Sequence, residues 1–267
     1  MTLNAAEYSL VGPGRQQKVS FWFWIASMIA TPLLISVWGM SAFPIMTSLA
    51  VVCQMLATIL VVKLTWSGSR IIRASGIIFA TTWLMEYIGS HYGVLFGKYS
   101  YTSQLMPQVF GVPLLIPSAW VMMLFSAWSV SEYILTPYQA RLGKIYPLVY
   151  PIFSGLVFTV WDLYLDPLMV SQEFWLWEQP GAYYGIPWQN FLGWWLIAML
   201  LTVVIRPTRL RLPGLLMIYT MTWLFLAMGV GVFLGLSGPA LTGFMGMGVF
   251  ALWAWRQFYR YPLVRTR

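Results

Sequence analysis

Three acidic residues lie in otherwise apolar parts of the sequence, where a carboxyl group could deliver a proton with little competition from water. Glu86 lies about 15 residues into one apolar segment, and Asp162 and Asp166 lie near the end of another. The two aspartates are four residues apart, so on a helix they share one face. Because ionisation in an apolar environment is unfavourable, such groups are expected to stay protonated and to act as acids. For Asp166, which precedes Pro167, a solvated place at a helix end is an alternative.

Aromatic residues are frequent around these acids. The sequence contains 16 Trp, 15 Tyr and 16 Phe. Ring faces stabilise a nearby positive charge, so acids and rings together could protonate an apolar substrate and stabilise the resulting carbocation. Packing alone would explain any single ring equally well. The rings nearest the acids in the predicted arrangement are Trp83, Tyr87, Trp120, Trp161, Tyr164, Trp188, Trp194 and Trp195.

The rarity of histidine and cysteine excludes several other chemistries. His91 and Cys53 are the single residues of their types, so the chain cannot assemble a zinc site from Cys and His. Iron-dependent membrane oxygenases that use histidine clusters are excluded for the same reason. No glycine-rich phosphate loop occurs. We therefore predict neither a metal nor a cofactor.

The composition places these residues in a membrane protein. Residues of the hydrophobic types make up 60% of the 267 residues, and Asp, Glu, Lys and Arg make up 8%. An average soluble domain is about one quarter charged. The mean hydropathy of +0.73 agrees. So few charges cannot cover a soluble surface, and we predict an all-α integral membrane protein with residues 1–267 in a single polytopic domain.

The elements that would position the acids are transmembrane helices. About 20 apolar residues cross a bilayer, and this length predicts about eight spans. Glu86 falls in the third span and the two aspartates in the fifth, whereas Asn190 lies just inside the sixth. The predicted spans are 19–38, 44–62, 71–90, 113–135, 146–168, 187–205, 214–235 and 239–256.

The Lys and Arg residues are distributed unequally between the two sides of the predicted membrane spans. Fourteen of the 15 Lys and Arg residues, Arg265 and Arg267 among them, fall on one side of this arrangement, and Lys98 alone falls on the other. The positive-inside rule therefore predicts cytoplasmic N- and C-termini in the cell (cytoplasmic) membrane. The net charge of +8 then reflects topology and attraction to anionic membrane lipid, and no nucleic-acid partner is predicted. Glu132, on the basic side, is expected to be solvated at the interface.

The loops after spans three and five end alike. Gly111-Val112-Pro113 is followed by Trp120, and Gly185-Ile186-Pro187 by Trp194, in each case seven residues after the proline. Proline suits the first turn of a helix. We expect spans 3–4 and 5–6 to form a duplicated helix hairpin about an axis along the membrane normal. Chance similarity between two Gly-Pro turns is the alternative.

The segment at about 83–195 resembles a known family, the polytopic carotenoid hydratases of the bisanhydrobacterioruberin hydratase and gamma-carotene 1'-hydroxylase type. Gly-Ile-Pro stands where Gly-Val-Pro is expected, which is a small departure. The stretches that carry the resemblance are Glu86-Tyr-Ile-Gly-Ser-His-Tyr-Gly-Val-Leu-Phe-Gly-Lys-Tyr-Ser-Tyr101, Gly111-Val-Pro113 with Trp120, Trp161-Asp-Leu-Tyr-Leu-Asp-Pro167, Phe174-Trp-Leu-Trp177, Gly185-Ile-Pro187 and Asn190-Phe-Leu-Gly-Trp194.

The resemblance implies a cofactor-independent hydro-lyase that adds water to the C1–C2 double bond of an acyclic (psi) carotenoid end. Glu86, Asp162 and Asp166 match acidic positions of that family. We expect Asp162 or Glu86 to protonate C2 and Asp166 to place the water that attacks the tertiary cation at C1. The residues expected to contact the substrate are His91, Tyr92, Tyr99, Trp120, Trp161, Tyr184, Asn190 and Trp194.

Two alternatives use the same residues. A proton-driven end-group cyclase would quench the cation internally in a dry pocket. A non-enzymatic pigment-binding or transport protein would need a polar path through the bundle, which the sparse polar residues of most spans do not favour. The expected partner is the lipid-soluble isoprenoid substrate itself, with association with other carotenoid biosynthesis enzymes as a further expectation.

Overall fold

The apolar segments fold as helices because a backbone without water must form its hydrogen bonds within the segment. The computed structural model describes residues 13–261, so Glu7, Arg265 and Arg267 lie outside the described residues. The helices are α1 (Arg15–Trp38), α2 (Phe43–Val62), α3 (Gly68–Tyr92), α4 (Leu115–Leu135), α5 (Gln139–Leu142), α6 (Tyr146–Thr159), α7 (Asp162–Ser171), α8 (Trp188–Ile205), α9 (Pro213–Met228) and α10 (Ser237–Arg260). A π-helical turn, Gly229–Phe233, extends α9.

The predicted all-α polytopic class is confirmed. Within residues 13–261, six helices are long and apolar enough to cross a membrane. The run Leu115–Ser171 counts as one of them, although it holds both the fourth and fifth predicted spans, and α4 packs against α6 within it. α10 covers the predicted eighth span and is not among the six. Eight membrane crossings therefore stay a prediction. The six are Arg15–Trp38, Met40–Val62, Gly68–Tyr92, Leu115–Ser171, Trp188–Ile205 and Pro213–Phe233.

The basic loops meet at one end of the bundle, as the charge pattern predicts. The Gln17 amide of α1 donates to the Leu60 carbonyl near the end of α2, at 3.1 Å. The Trp66 indole, before α3, donates to the Thr208 carbonyl in the α8–α9 loop, at 2.7 Å. The Arg70 guanidinium stacks on the same indole, 3.7 Å from its centroid. These contacts join the start of α1, the α2–α3 loop and the α8–α9 loop into one surface.

Glu132 corrects the expectation of an interfacial, solvated carboxylate. It is 4% exposed, and its Oε2 accepts a hydrogen bond from the Leu210 backbone N–H at 2.8 Å. The end of α4 is covered by the α8–α9 loop, which a hydropathy pattern does not reveal. Glu132 thus fixes that loop to α4.

The fifth predicted span is two helices rather than one. The helix breaks at Val160 and Trp161, where the Trp161 N–H bonds to the Phe158 carbonyl instead of continuing the α-helical pattern. The freed Val157 carbonyl accepts the Tyr219 hydroxyl at 3.0 Å. A broken helix is tolerated at membrane depth when protein groups satisfy its backbone in this way. The break makes Asp162 the first residue of α7.

Pro167 lies inside α7, where it cannot donate to the carbonyl four residues before it. That carbonyl belongs to Leu163, and the Tyr183 hydroxyl donates to it at 2.9 Å. Tyr183 comes from the loop between α7 and α8. The second long loop therefore completes the hydrogen bonding of the helix that carries both aspartates.

The two long loops pair with each other. Strand β1 (Tyr99–Tyr101) is antiparallel to β4 (Trp175–Trp177), with Ser100 opposite Leu176. The first loop also holds the short hairpin of β2 (Gln108–Val109) and β3 (Val112–Pro113). Four short strands therefore cover the end of the bundle opposite the basic loops.

The contacts between the loops are those that a two-fold axis between two hairpins would produce. Ser100 and Leu176 are 76 residues apart and face each other at the centre of the strand pair. Glu86 and Asp162 are also 76 residues apart. Trp120 and Trp194, the equivalent residues after each proline, contact each other with ring centroids 4.7 Å apart. The duplicated hairpin itself stays a prediction.

Cysteine labelling tests which end of the bundle faces the cytoplasm. Cys53 is buried and can be replaced by Ala. In that background we expect exposed cysteines placed by Ser103→Cys and by Gln179→Cys to react with a membrane-impermeant thiol reagent added to intact cells. Ala140→Cys, at the basic end, is the matched control and should react only after permeabilisation. The reverse pattern would invert the topology.

Candidate active site

A small cavity lies between the helices and the paired strands, at the end of the bundle opposite the basic loops. Glu86 of α3 and Asp166 of α7 both border it. They are 3% and 2% exposed. No Lys or Arg is among the lining residues to neutralise them. The lining residues are Glu86, Tyr99, Tyr101, Ile116, Ala119, Trp120, Leu165, Asp166, Trp175, Trp177, Asn190 and Trp194.

The Glu86 carboxyl group is held by two tyrosines of β1. The hydroxyls of Tyr99 and Tyr101 both donate to Glu86 Oε2, the second at 2.7 Å. Residues two apart on a strand face the same side, which is why both hydroxyls reach one oxygen. Burial, followed by the charge of Glu86, raises the pKa of Tyr99 and Tyr101 well above the ordinary value. Both tyrosines therefore remain hydrogen-bond donors, and Glu86 is arranged as an acceptor.

Asp162 and Asp166 form a pair bridged by Asn190. The Asn190 amide donates to Asp162 Oδ2 at 2.9 Å and to Asp166 Oδ2. Trp175 of β4 donates its indole N–H to Asp166 Oδ1 at 3.1 Å. The same amide nitrogen of Asn190 thus lies next to one carboxylate oxygen of each aspartate. Since two adjacent carboxylates do not readily both ionise, such a pair holds one proton between its members.

The start of α7 favours negative charge at this pair. Asp162 is fully buried at the first position of α7, where the helix dipole favours an anion. Asp166 lies one turn later on the same face and is the member that borders the cavity. The pair thus has an inner carboxyl group at the helix start and an outer one facing the cavity.

Tryptophan and phenylalanine rings form the opposite wall. Trp120 contacts Trp194 at 4.7 Å and Phe158 at 4.5 Å between ring centroids. Phe158 stacks on Trp194 at 5.5 Å, and Trp161 meets Trp194 edge-on at 5.9 Å. A cation formed in the cavity would lie beside electron-rich ring faces.

The cavity is the size of a water molecule. It leaves about 20 Å³ for the centre of a water, and roughly 10–15 Å³ of such space is enough to hold one. Among residues 13–261, the Trp120 indole N–H has no hydrogen-bond partner, although Trp120 is buried. A water in the cavity would have Glu86, Asp166 and Asn190 as its polar neighbours.

The structure brings together seven of the eleven residues predicted from the sequence. Glu86, Asp162 and Asp166 lie at or beside the cavity, and Tyr99, Trp120, Asn190 and Trp194 border it. Trp161 is buried next to Trp194 and borders a separate apolar groove.

The remaining three predicted residues lie elsewhere. His91 is exposed, and its Nδ1 lies 3.0 Å from the Tyr87 carbonyl. Tyr92 is 69% exposed and Tyr184 50% exposed. The helix of α3 continues to Tyr92, so the loop does not fold back at His91 and bring its ring to Glu86.

Sequence analysis missed three aromatic residues of the cavity. Tyr101, Trp175 and Trp177 border it from the paired strands. Their alternation in Tyr-Ser-Tyr and Trp-Leu-Trp is a signal for one-sided strands. These two segments meet because β1 pairs with β4. The paired strands are more than 70 residues apart in sequence, so no local pattern predicts the pairing.

The fold and the site together define a class: a helical membrane protein with buried carboxyl groups, hydrogen-bond donors and aromatic rings around a small cavity. The chain belongs to the carotenoid biosynthesis protein family, which matches residues 42–250. That match contains every element that borders the cavity.

One relative is a named enzyme. The chain is 29% identical over 111 residues to bisanhydrobacterioruberin hydratase of Haloarcula japonica. The aligned part covers 41% of this chain and 36% of the relative, so the chain spans only about a third of that protein's length. No solved structure matches the chain.

Removal of the bridging amide tests the carboxyl pair. Asn190→Ala deprives two buried carboxyl groups of a shared donor, and an unsatisfied buried polar group costs about 1–3 kcal/mol. We expect a lower unfolding temperature of the detergent-purified protein. Gln189→Ala, at the exposed neighbouring position, is the control and should unfold like the wild type. Equal stability of the two variants would show that the pair does not depend on Asn190.

Proposed function

We propose that the protein adds water across the C1–C2 double bond at the acyclic (psi) end of a carotenoid. Membership of the carotenoid biosynthesis family and a relative named as a hydratase support a carotenoid-modifying role. The observation that carries the finer proposal is the cavity itself: the carboxyl groups of Glu86 and Asp166 and several aromatic rings surround space for about one water, and Asn190 joins Asp166 to Asp162. The reaction so assigned is that of a hydro-lyase that needs no cofactor.

The carboxyl pair supplies the proton. Asp162 and Asp166 hold one proton between them, and Asp166 is the member that borders the cavity. Asp166 gives this proton to C2, and the two electrons of the double bond form the new C–H bond. C1 becomes a tertiary cation. The sequence favoured Asp162 or Glu86 as the donor; the cavity position of Asp166 favours a route from Asp162 through Asp166.

Glu86 receives the second proton. Two tyrosine hydroxyls hold it as an acceptor, so it can orient a water and take up the proton released when the water oxygen bonds to C1. Return of that proton from Glu86 to Asp166, across the cavity they share, restores the starting state. The net change is the addition of one water, and no electron is gained or lost.

The aromatic wall stabilises the intermediate. Trp120 and Trp194 border the cavity and contact each other, and a desolvated ring face attracts positive charge by about 2 kcal/mol. A cyclase would use the same donor and wall but would exclude water. The polar groups around a water-sized space favour hydration over cyclisation.

Amide substitutions test the carboxyl roles. Asp166→Asn and Glu86→Gln keep the side-chain shape but cannot exchange the proton, and general acid–base catalysis is worth about 10²–10⁴-fold. We expect losses of that order in the conversion of lycopene by membranes of a lycopene-producing host, with Asp162→Asn also impaired. Glu178→Gln, an exposed glutamate paired with Lys98, is the control. Near-normal conversion by all three cavity variants would remove the proposed mechanism.

The source of the oxygen separates hydration from oxygenation. A hydratase takes its hydroxyl from water, so membranes should form the 1-hydroxy-1,2-dihydro product without O₂ or reductant. In ¹⁸O-labelled water the hydroxyl should carry the label, and in D₂O one deuterium should appear at C2. Mass spectrometry of the extracted pigments measures both. Label from ¹⁸O₂, or inactivity of anaerobic membranes, would contradict the proposal.

A further inference from the structure

A second, much larger cavity borders the carboxyl cavity. It is an apolar groove between α1 and α9 with its π-helical turn, closed on its inner side by α2, α4 and α7. It leaves about 350 Å³ for the centres of water-sized spheres. No Asp, Glu, Lys or Arg is among its lining residues; the few polar ones include Gln54 and Thr222, which bond to each other at 3.0 Å.

The two spaces meet at one side chain. Leu165 of α7 borders both the groove and the carboxyl cavity, and the next residue, Asp166, borders the carboxyl cavity. Trp161 provides a second link, because it borders the groove and contacts Trp194 at the carboxyl cavity. The groove therefore ends against the wall behind which the acids lie.

The carboxyl cavity is too small for the polyene chain of the substrate. Its space of about 20 Å³ suits a single water. An apolar substrate must bring its end to the carboxyl groups from an adjoining space, and the rest of the molecule must lie in an apolar one. The groove meets both needs, since it is apolar and shares Leu165 with the cavity.

We propose that the groove binds the polyene chain of the substrate, with its psi end against Leu165 and Trp161. This inference rests on the proposed function. Five residues of α2 border the groove, and the first and last of them, Phe43 and Gln54, are eleven residues apart, a depth of roughly 16 Å at 1.5 Å per residue. A C40 polyene is about as long as the 30 Å bilayer core is thick, so about half of the chain lies in the groove and the remainder in lipid.

The walls of the groove fit entry from the lipid. Met228 is 46% exposed and Phe233 56% exposed on the α9 side, and Met40 is 43% exposed beside α1. Each of the two outer helices is irregular where it borders the groove: α1 contains Pro32, and α9 passes into its π-helical turn. Proline and π-helical turns bend helices and separate them from their neighbours. A long apolar molecule can thus enter sideways.

Two substitutions would fill the groove from opposite walls. Gly229 has helical φ and ψ, and a Cβ there would meet no atom within 4 Å. Gly229→Phe therefore fits the protein while occupying groove space. Ala50 borders the groove from α2, so Ala50→Phe also places a ring in the groove. Gly76→Phe and Ala80→Phe are matched controls on α3, exposed and away from the groove.

The experiment measures binding and conversion separately. Each variant is purified in detergent from lycopene-producing cells, and bound pigment is determined from visible absorption per mole of protein; hydrated product is measured in the membranes. We expect Gly229→Phe and Ala50→Phe to lower both by about tenfold or more, the scale on which apolar pockets respond to added groups. Both controls should match the wild type.

The outcomes distinguish the groove from the reaction. If the wild type hydrates lycopene and both filling variants bind and convert it normally, the groove holds lipid instead and this inference is wrong. If the wild type binds lycopene without hydrating it, and the filling variants lose binding, the groove is the polyene-binding site but the proposed function is wrong. If the wild type neither binds nor hydrates it, both are overturned. The two filling variants come from different helices, so misfolding of one leaves the other to decide.

Discussion

Burial of three carboxyl groups between apolar helices is the constraint on which the end of the bundle opposite the basic loops depends. A carboxyl group without hydrogen-bond partners is costly in a low-dielectric interior. The helices use their own backbone N–H groups internally and cannot supply enough donors. Asn190 of α8 donates to both aspartates, and the other donors come from the loops: Tyr99 and Tyr101 from β1 and Trp175 from β4. The paired strands are therefore part of the site, and their register sets the positions of the acids.

The break between α6 and α7 follows from the same constraint. A continuous helix would place Asp162 in mid-helix, where the neighbouring N–H groups are already bonded. Starting a new helix at Asp162 gives its side chain the favourable end of the helix dipole. The break and Pro167 leave the carbonyls of Val157 and Leu163 without helical partners, and the hydroxyls of Tyr219 and Tyr183 donate to them. Tyrosines from α9 and from the second long loop thus supply the hydrogen bonds that the irregular helix lacks.

The sequence could predict what depends on composition and spacing. It located the helical segments, the three acids, Asn190 and the Trp120–Trp194 pair, because hydropathy, polar residues in apolar runs and repeated turns are local signals. It could not predict which loop residues reach the acids. His91, Tyr92 and Tyr184 are aromatic and near the acids in sequence, yet α3 continues past His91 and leaves these side chains exposed. Tyr101 and Trp175 reach the acids only because β1 pairs with β4. Leu165 carries no sign in the sequence of its place between two cavities.

In the proposed hydration, the two spaces keep water and polyene apart until they meet at Leu165 and Asp166. Water favours the small polar cavity beneath the paired strands, where carboxyl, amide and hydroxyl groups converge. A polyene favours the apolar groove, whose outer walls face the surrounding lipid. A single open pocket would either admit water to the whole groove or exclude it from the carboxyl groups. A cation formed at a chain end would then meet bulk water in the first case and no water in the second. In the proposed reaction, a water-sized space beside an apolar one limits the cation to one neighbouring nucleophile, and this limit would favour addition of water over other fates of the same intermediate.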